Sequence, residues 1–196
     1  SLDLTTAGTI ETWVYRPTST SGGIQFLVSK GSGTSATNTQ YQLLTDSNYL
    51  YFRWGGDGSS VGSISSVPVD QWVYIAATYD GEFAKVYING VLDNSNAWTV
   101  DALANSDSVR MGARNENNYY FTGYMDSTRI YNRALLANEI LSNYIETTPS
   151  PTMAPRSSID IPSSYVSIGI PHGMAMAADG DIWYVDSLNI RVVKFD

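Results

Sequence analysis

The chain contains no cysteine in 196 residues. Thiolate zinc sites, thiol nucleophiles, iron–sulfur ligation and disulfides are therefore excluded. Histidine occurs once, at His172, so a Ser/His/Asp relay would have to use that single imidazole. Positive charge is scarce as well. Against 19 Asp+Glu stand 11 Lys+Arg, giving a net charge of −8, and no basic run exists to track a phosphate backbone, so nucleic acid is not an expected partner. Charged residues make up only 15% of the chain, which is low for a helical bundle. No apolar run approaches the roughly 20 residues of a membrane-spanning helix. Ser1-Leu2-Asp3-Leu4 lacks the basic start and apolar core of a secretory leader, so a mature, trimmed or truncated form, or a cytoplasmic protein, is expected.

What is abundant points to β-structure. Tyr occurs 14 times and Trp 5 times, among many Ser, Thr, Asn and Gly. That balance suits strands joined by long polar loops. A chain this long buries roughly 70% of its unfolded surface, enough for a core without covalent staples. Period-two alternation marks Thr9–Tyr15, Ile24–Val28 and Tyr49–Trp54 as half-buried antiparallel strands. In the second, Ile24, Phe26 and Val28 share a face. In the third, Leu50, Phe52 and Trp54 oppose Tyr49, Tyr51 and Arg53. Trp72–Tyr79 and Phe83–Ile88 form a hairpin turned at Asp80-Gly81, and Asn89-Gly90 fits a second tight turn. Val109–Gly112 and Tyr124–Tyr131 read as two more strands. The one helical pattern covers Ala134–Tyr144, with Leu135, Leu136 and Ile140 expected to be buried.

Beyond Tyr144 the composition shifts. Residues 147–164 open with a Pro/Ser/Thr-rich stretch and read as an extended linker. Residues 165–196 read as a strand-rich tail, with strands at Tyr165–Ile170, Met174–Ala177, Ile182–Val185 and Arg191–Phe195. The expected organisation is a domain over 1–146, a linker over 147–164 and the tail.

Two sets of motifs carry resemblances. Thr9–Val14, Leu27-Val28-Ser29-Lys30-Gly31, Gln71–Gly81, Val86-Tyr87-Ile88-Asn89-Gly90 and Gly123–Leu135, in that order and spacing, resemble the laminin-G-like, concanavalin A-like family over residues 2–144. The resemblance implies an all-β fold, a jelly-roll sandwich of two antiparallel sheets with one short helix. It also implies an extracellular or cell-surface binding and adhesion module for a glycan or protein, often with calcium. Pro171–Ala175, Asp179–Asp186 and Asn189–Asp196 are similar to one NHL repeat, a β-propeller blade. A lone blade cannot close a propeller of about 4–8 blades. The tail is therefore expected to supply β-pairing to a sandwich, preferably a neighbouring copy's, which would make a homo-oligomer. Two alternatives follow: a structural subunit of a surface filament or layer, or a non-catalytic fragment of a larger propeller-containing enzyme.

Candidate site residues follow from the same reading. Asp126 lies in an otherwise apolar-patterned strand, where a carboxylate needs a partner or a cation. The resemblance makes it a candidate ligand of structural calcium, and a salt bridge or turn contact is the alternative. Glu11 and Arg129 read as a cross-strand ion pair. A glycosidase would need a second carboxylate beside Glu11, and the Glu-x-Asp-x-x-Glu strand motif of laminarinase-type enzymes is absent, so no enzyme activity is expected. Asp57, Asn115, Glu116, Asn117, Tyr119 and Tyr120 lie in expected loops, with side chains suited to sugar hydroxyls. Trp13, Trp54 and Trp72 fall on strands and read as core, leaving Trp98 as the candidate exposed sugar platform.

Overall fold

The computed structural model describes residues 2–20, 22–31, 39–55, 60–114, 119–147 and three strands beyond residue 170. Two antiparallel sheets of five strands each make up the first unit, Ser1–Ala154. One contains β1 (Gly8–Tyr15), β6 (Trp72–Tyr79), β7 (Phe83–Ile88), β8 (Val91–Ala97) and β10 (Tyr124–Tyr131), in the order β10-β1-β6-β7-β8. The other contains β2 (Ile24–Gly31), β3 (Thr39–Asp46), β4 (Tyr49–Trp54), β5 (Val61–Gly62) and β9 (Val109–Met111), in the order β5-β4-β3-β2-β9. The fold is a jelly-roll sandwich, as the family resemblance implies. The pattern analysis does not name β3, β5 and β8. In β3 the apolar pair Leu43-Leu44 interrupts the alternation, because the strand is central and buried on both faces.

The inner faces meet in one core built by alternation. Ile10 and Val14 of β1, Val73, Ile75, Ala77 and Tyr79 of β6, and Ala84 and Val86 of β7 pack with Tyr41, Leu43, Leu50, Phe52, Trp54 and Val61. Trp54 is the largest fully buried side chain, with its ring 4.9 Å from that of Tyr79 and 6.2 Å from that of Tyr41. Arg16 is also inside, 1% exposed, and its guanidinium donates to the carbonyls of Ser47 and Val67 at 2.5 and 3.3 Å.

In β2 the expected face is wrong. Phe26 pairs with Leu44 and Val28 with Leu43, so Leu27 is an extra residue, a β-bulge. Leu27 and Val28 join the core while Phe26 packs on the outer face, and Ile24 is exposed. A bulge inserts a residue without a cross-strand partner and resets the alternation. Ile24, Phe26 and Val28 therefore do not share one face.

The helix α1 (Ala137–Glu146) covers the outer face of the β1 sheet. It begins later than expected because Glu139 reaches back to accept the Leu136 N–H at 2.8 Å. Arg133 grips the same carboxylate at 2.7 and 2.8 Å and holds its pKa down at about 2. Leu136 is thus the residue before the first turn and is 65% exposed, contrary to the expectation that it is buried, whereas Leu135 and Ile140 are buried. Ile140, Asn143 and Tyr144 form the contact face at helical spacing, and Tyr144 stacks on Trp13 with ring centroids 5.5 Å apart.

Beyond residue 154 lies a second unit, Pro155–Asp196. Its described strands, β11 (Pro171–Met176), β12 (Ile182–Asp186) and β13 (Arg191–Phe195), form a three-stranded antiparallel sheet of their own. These tail strands pair with one another, β11 with β12 and β12 with β13. The expected strand at Tyr165–Ile170 lies outside the described residues.

Ile140→Ala should lower unfolding stability by roughly 2–5 kcal/mol, because it empties a fully buried position. Leu136→Ala should change it by less than about 0.5 kcal/mol. Denaturant titration of both variants checks the helix register, and the reverse ranking would contradict it.

Candidate ligand-binding face

Two carboxylates drew chemical interest in the sequence, and the structure gives them different roles. Glu11 is 1% exposed beneath α1. Its oxygens accept from the Tyr74 hydroxyl at 2.5 Å, the Tyr131 hydroxyl at 3.0 Å, Arg129 at 3.3 Å, and the Asn143 amide at 3.0 and 3.1 Å. Burial, and then the bond to this carboxylate, push the Tyr74 hydroxyl up from its usual pKa. The expected ion pair with Arg129 is present in register, Glu11 opposite Arg129. A carboxylate so enclosed and so fully engaged has no access to a substrate.

Asp126 sits at an irregularity where β10 passes β1. Ser127 has a φ of 49°, and the ladder shifts between Glu11 and Trp13. The Asp126 carboxylate accepts from the Ser127 hydroxyl at 3.2 Å, and its carbonyl accepts from Thr12 at 3.2 Å. Among the described residues no group of three or more acidic or His side chains clusters to hold a metal. Asp126 thus offers an oxygen donor of the kind calcium takes.

Trp98 is not an exposed platform. Its main-chain N–H donates to the Glu82 carbonyl at 2.7 Å just after β8 ends, and the ring, 9% exposed, belongs to the principal core. Asp57, Asn115, Glu116 and Asn117 lie outside the described residues. Tyr119 and Tyr120 are solvent-exposed, at 43% and 60%.

Tyr119 leads to the face that sequence reasoning did not assemble. Its carbonyl accepts the Phe26 N–H at 3.0 Å, and its ring lies 5.9 Å from that of Phe26. The Arg114 guanidinium stands 4.7 Å from the Tyr119 ring centre and 5.7 Å from that of Phe26. Phe26 lies outward because of the bulge, and register places the rest. One cross-strand row runs Arg110, Ser29, Gln42, Arg53 through β9, β2, β3 and β4. A second runs Phe26, Leu44, Tyr51, Gly62. Paired residues of an antiparallel ladder share a face, so both rows lie on the side of this sheet away from the core. Gly62 leaves room there for the Tyr51 ring, since a Cβ would meet its Cε1 at 2.9 Å. Within the face, Arg53 Nη1 donates to Gln42 Oε1 at 3.2 Å, and the Ser29 hydroxyl donates to the Ala113 carbonyl at 2.9 Å. Burial, and then the charge of Arg114, lower the Arg53 pKa, with Asp46 opposing. The available signal was the alternation of Tyr49, Tyr51 and Arg53 against the apolar residues of β4.

Two five-stranded sheets with an aromatic and polar outer face define a lectin-like sandwich. The chain belongs to the Laminin_G_3 family, described as the concanavalin A-like lectin/glucanases superfamily, which matches residues 1–141. Human Pappalysin-1 is 34% identical over 90 residues, which is 44% of this chain and only 6% of that protein. Among solved structures, the CBM40 of Ruminococcus gnavus IT-sialidase bound to α2,3-sialyllactose is similar with a TM-score of 0.61 and 17% identity, over 72% of this chain and 84% of that one. The botulinum neurotoxin type G receptor binding domain is similar with a TM-score of 0.55 and 19% identity, over 72% and 38%. Domain 4 of AbnA, a GH43 extracellular arabinanase from Geobacillus stearothermophilus, in complex with arabinotriose, is similar with a TM-score of 0.52 and 20% identity, over 70% and 66%. At these identities the likeness to solved structures is one of fold.

Glu11→Ala should cost roughly 3 kcal/mol or more, since it strips a buried cluster of a charged hydrogen-bond acceptor. Thermal or denaturant unfolding checks this. A stability loss below about 0.5 kcal/mol would contradict the network's structural role.

Proposed function

We propose that this domain is a non-catalytic glycan-binding module and that the outer face of the β5-β4-β3-β2-β9 sheet is its binding surface. The observation that carries the reading is the convergence of the Tyr119 and Tyr51 rings and three arginines on that one face, over a buried floor that includes Phe26 and Gln42. Sugars offer apolar C–H faces and rings of hydroxyls, and a surface of aromatic rings beside amide and guanidinium groups answers both. Similar folds include a CBM40 bound to sialyllactose and a neurotoxin receptor binding domain, which supports the class of function. The enclosure of Glu11 supports a role in binding rather than hydrolysis. An extracellular or surface location accords with a similar domain from an extracellular arabinanase. No described helix is long and apolar enough to cross a membrane.

The full chain applied to a glycan array should retain at least one oligosaccharide and release no hydrolysis product. Tyr119→Ala should weaken that retention by about fivefold or more, the scale of losing a contact worth about 1 kcal/mol, with the melting temperature unchanged. Retention of no glycan would refute the assignment.

Calcium at Asp126 is a separate proposal. A cation bound only to the native state raises stability by mass action, so calcium should raise the melting temperature, EDTA should reverse the rise, and Asp126→Ala should abolish it. An identical melting temperature with calcium and with EDTA would dismiss it.

A further inference from the structure

The glycan-binding reading can be taken one step further, to the chemistry of the sugar, and the inference rests on that reading. We propose that Arg110 and Arg53, which end a cross-strand row whose middle members Ser29 and Gln42 are buried, select acidic sugars, those bearing a carboxylate or sulfate group. The row crosses four strands without a gap. With strands about 4.8 Å apart, its two terminal arginines are based about 14 Å from one another, with two small or neutral polar side chains between them.

Four other cations of the first unit pair with carboxylates. Lys30 pairs with Asp3 at 3.0 Å, Lys85 with Asp80 at 2.7 Å, Arg129 with Glu11 at 3.3 Å, and Arg133 with Glu139 at 2.7 Å. Arg16 is sunk among main-chain carbonyls. Arg53 is placed differently. It is half-buried, its Nη1 donates to the uncharged Gln42, and the positive charge of Arg114 weighs on it more than the opposing charge of Asp46. Like charges brought together on a partly desolvated surface are unfavourable until an anion joins them. A guanidinium meets a carboxylate or sulfate with two parallel N–H donors, and a cation stacked on aromatic rings, as Arg114 is on Tyr119 and Phe26, keeps those edge donors in the plane of the group.

The charge of the whole chain sharpens the point. At −8 overall the body of the protein repels anions, so an acidic ligand has to be won locally. Asp46 stands on the same face, two positions along β3 from Leu44, and would repel an anion at that edge. The acidic group is therefore placed toward Arg53 and Arg110, and the neutral part of the sugar toward Tyr51 and Tyr119.

The full chain is titrated with N-acetylneuraminate-, glucuronate- and sulfate-bearing oligosaccharides and with their neutral counterparts. Acidic members should bind and neutral ones should be weaker by about tenfold or more, and the two kinds of acidic member show whether carboxylate or sulfate is taken. Arg53→Gln and Arg110→Gln should each weaken acidic binding by about tenfold or more at an unchanged melting temperature. Arg53→Lys, which keeps the charge but loses the fork, should fall between. Lys85→Gln, on the other sheet, should leave affinity unchanged. Equal binding of neutral and acidic sugars, or full acidic affinity in Arg53→Gln and Arg110→Gln, overturns the acidic selectivity and leaves the glycan module standing. Binding of no sugar at all overturns both.

Discussion

A carboxylate with almost no exposure can stay inside a protein only if its lone pairs are answered. Glu11 sets that condition here, and much of the first sheet's outer layer follows from meeting it. Its donors come from β6, from β10 and from the helix, so the bond set closes only when all three are in place around β1. Sequence-distant segments are thereby registered against one another by a directional interaction. The surrounding apolar contacts, Trp13 with Tyr74 and Tyr144 and Ile140 against the sheet, supply burial but would tolerate sliding. Removing the acid would leave buried hydroxyls and an amide short of partners.

The two sheets divide their labour along this line. The sheet carrying β1 has its outer face covered by α1 and spends its polar groups on that cover. Among the described residues no α-helix covers the sheet carrying β3, yet its outer face holds Gln40, Gln42, Leu44 and Phe26 with almost no exposure. Gln40 is held by the Leu103 carbonyl at 3.2 Å, and Ser29 by that of Ala113, so segments flanking the strands wall this face. A walled sheet with polar and aromatic groups on its floor is a place where a ligand can be oriented without moving the fold.

How far the sequence discloses this depends on where each signal resides. Strands with one solvated face, such as β4, announce themselves by alternation, and the hairpin turns by Asp-Gly and Asn-Gly. The pairing of Glu11 with Arg129 is legible because two charges stand out among apolar strand neighbours. The outward turn of Phe26 is not legible, because a bulge leaves no mark in the composition of β2. Leu136 misleads for a related reason: helical spacing includes it, but the Glu139 carboxylate starts the helix after it. Trp98 follows a polar strand and reads as exposed, although its main chain stays tied to the Glu82 carbonyl just beyond the strand and its ring is buried in the core. The arginine row is invisible in the same way, since Arg53 and Arg110 are 57 positions apart in the numbering and become neighbours in one row only through register.

The bulge at Leu27 has a consequence for the shape of the face. Phe26 opposite Leu44 and Val28 opposite Leu43 are already consecutive rungs of a regular ladder with the extra residue left out. A β2 shortened by that one leucine would keep every remaining side chain on its present side. What would change is curvature, because the extra residue bends and over-twists its strand. The chemical identity of the face and its local curvature are thus written in separate places: the first in alternating side chains across four strands, the second in the length of one. Insertions and deletions at a single position can therefore retune how tightly the surface wraps a ligand while leaving the groups it presents untouched.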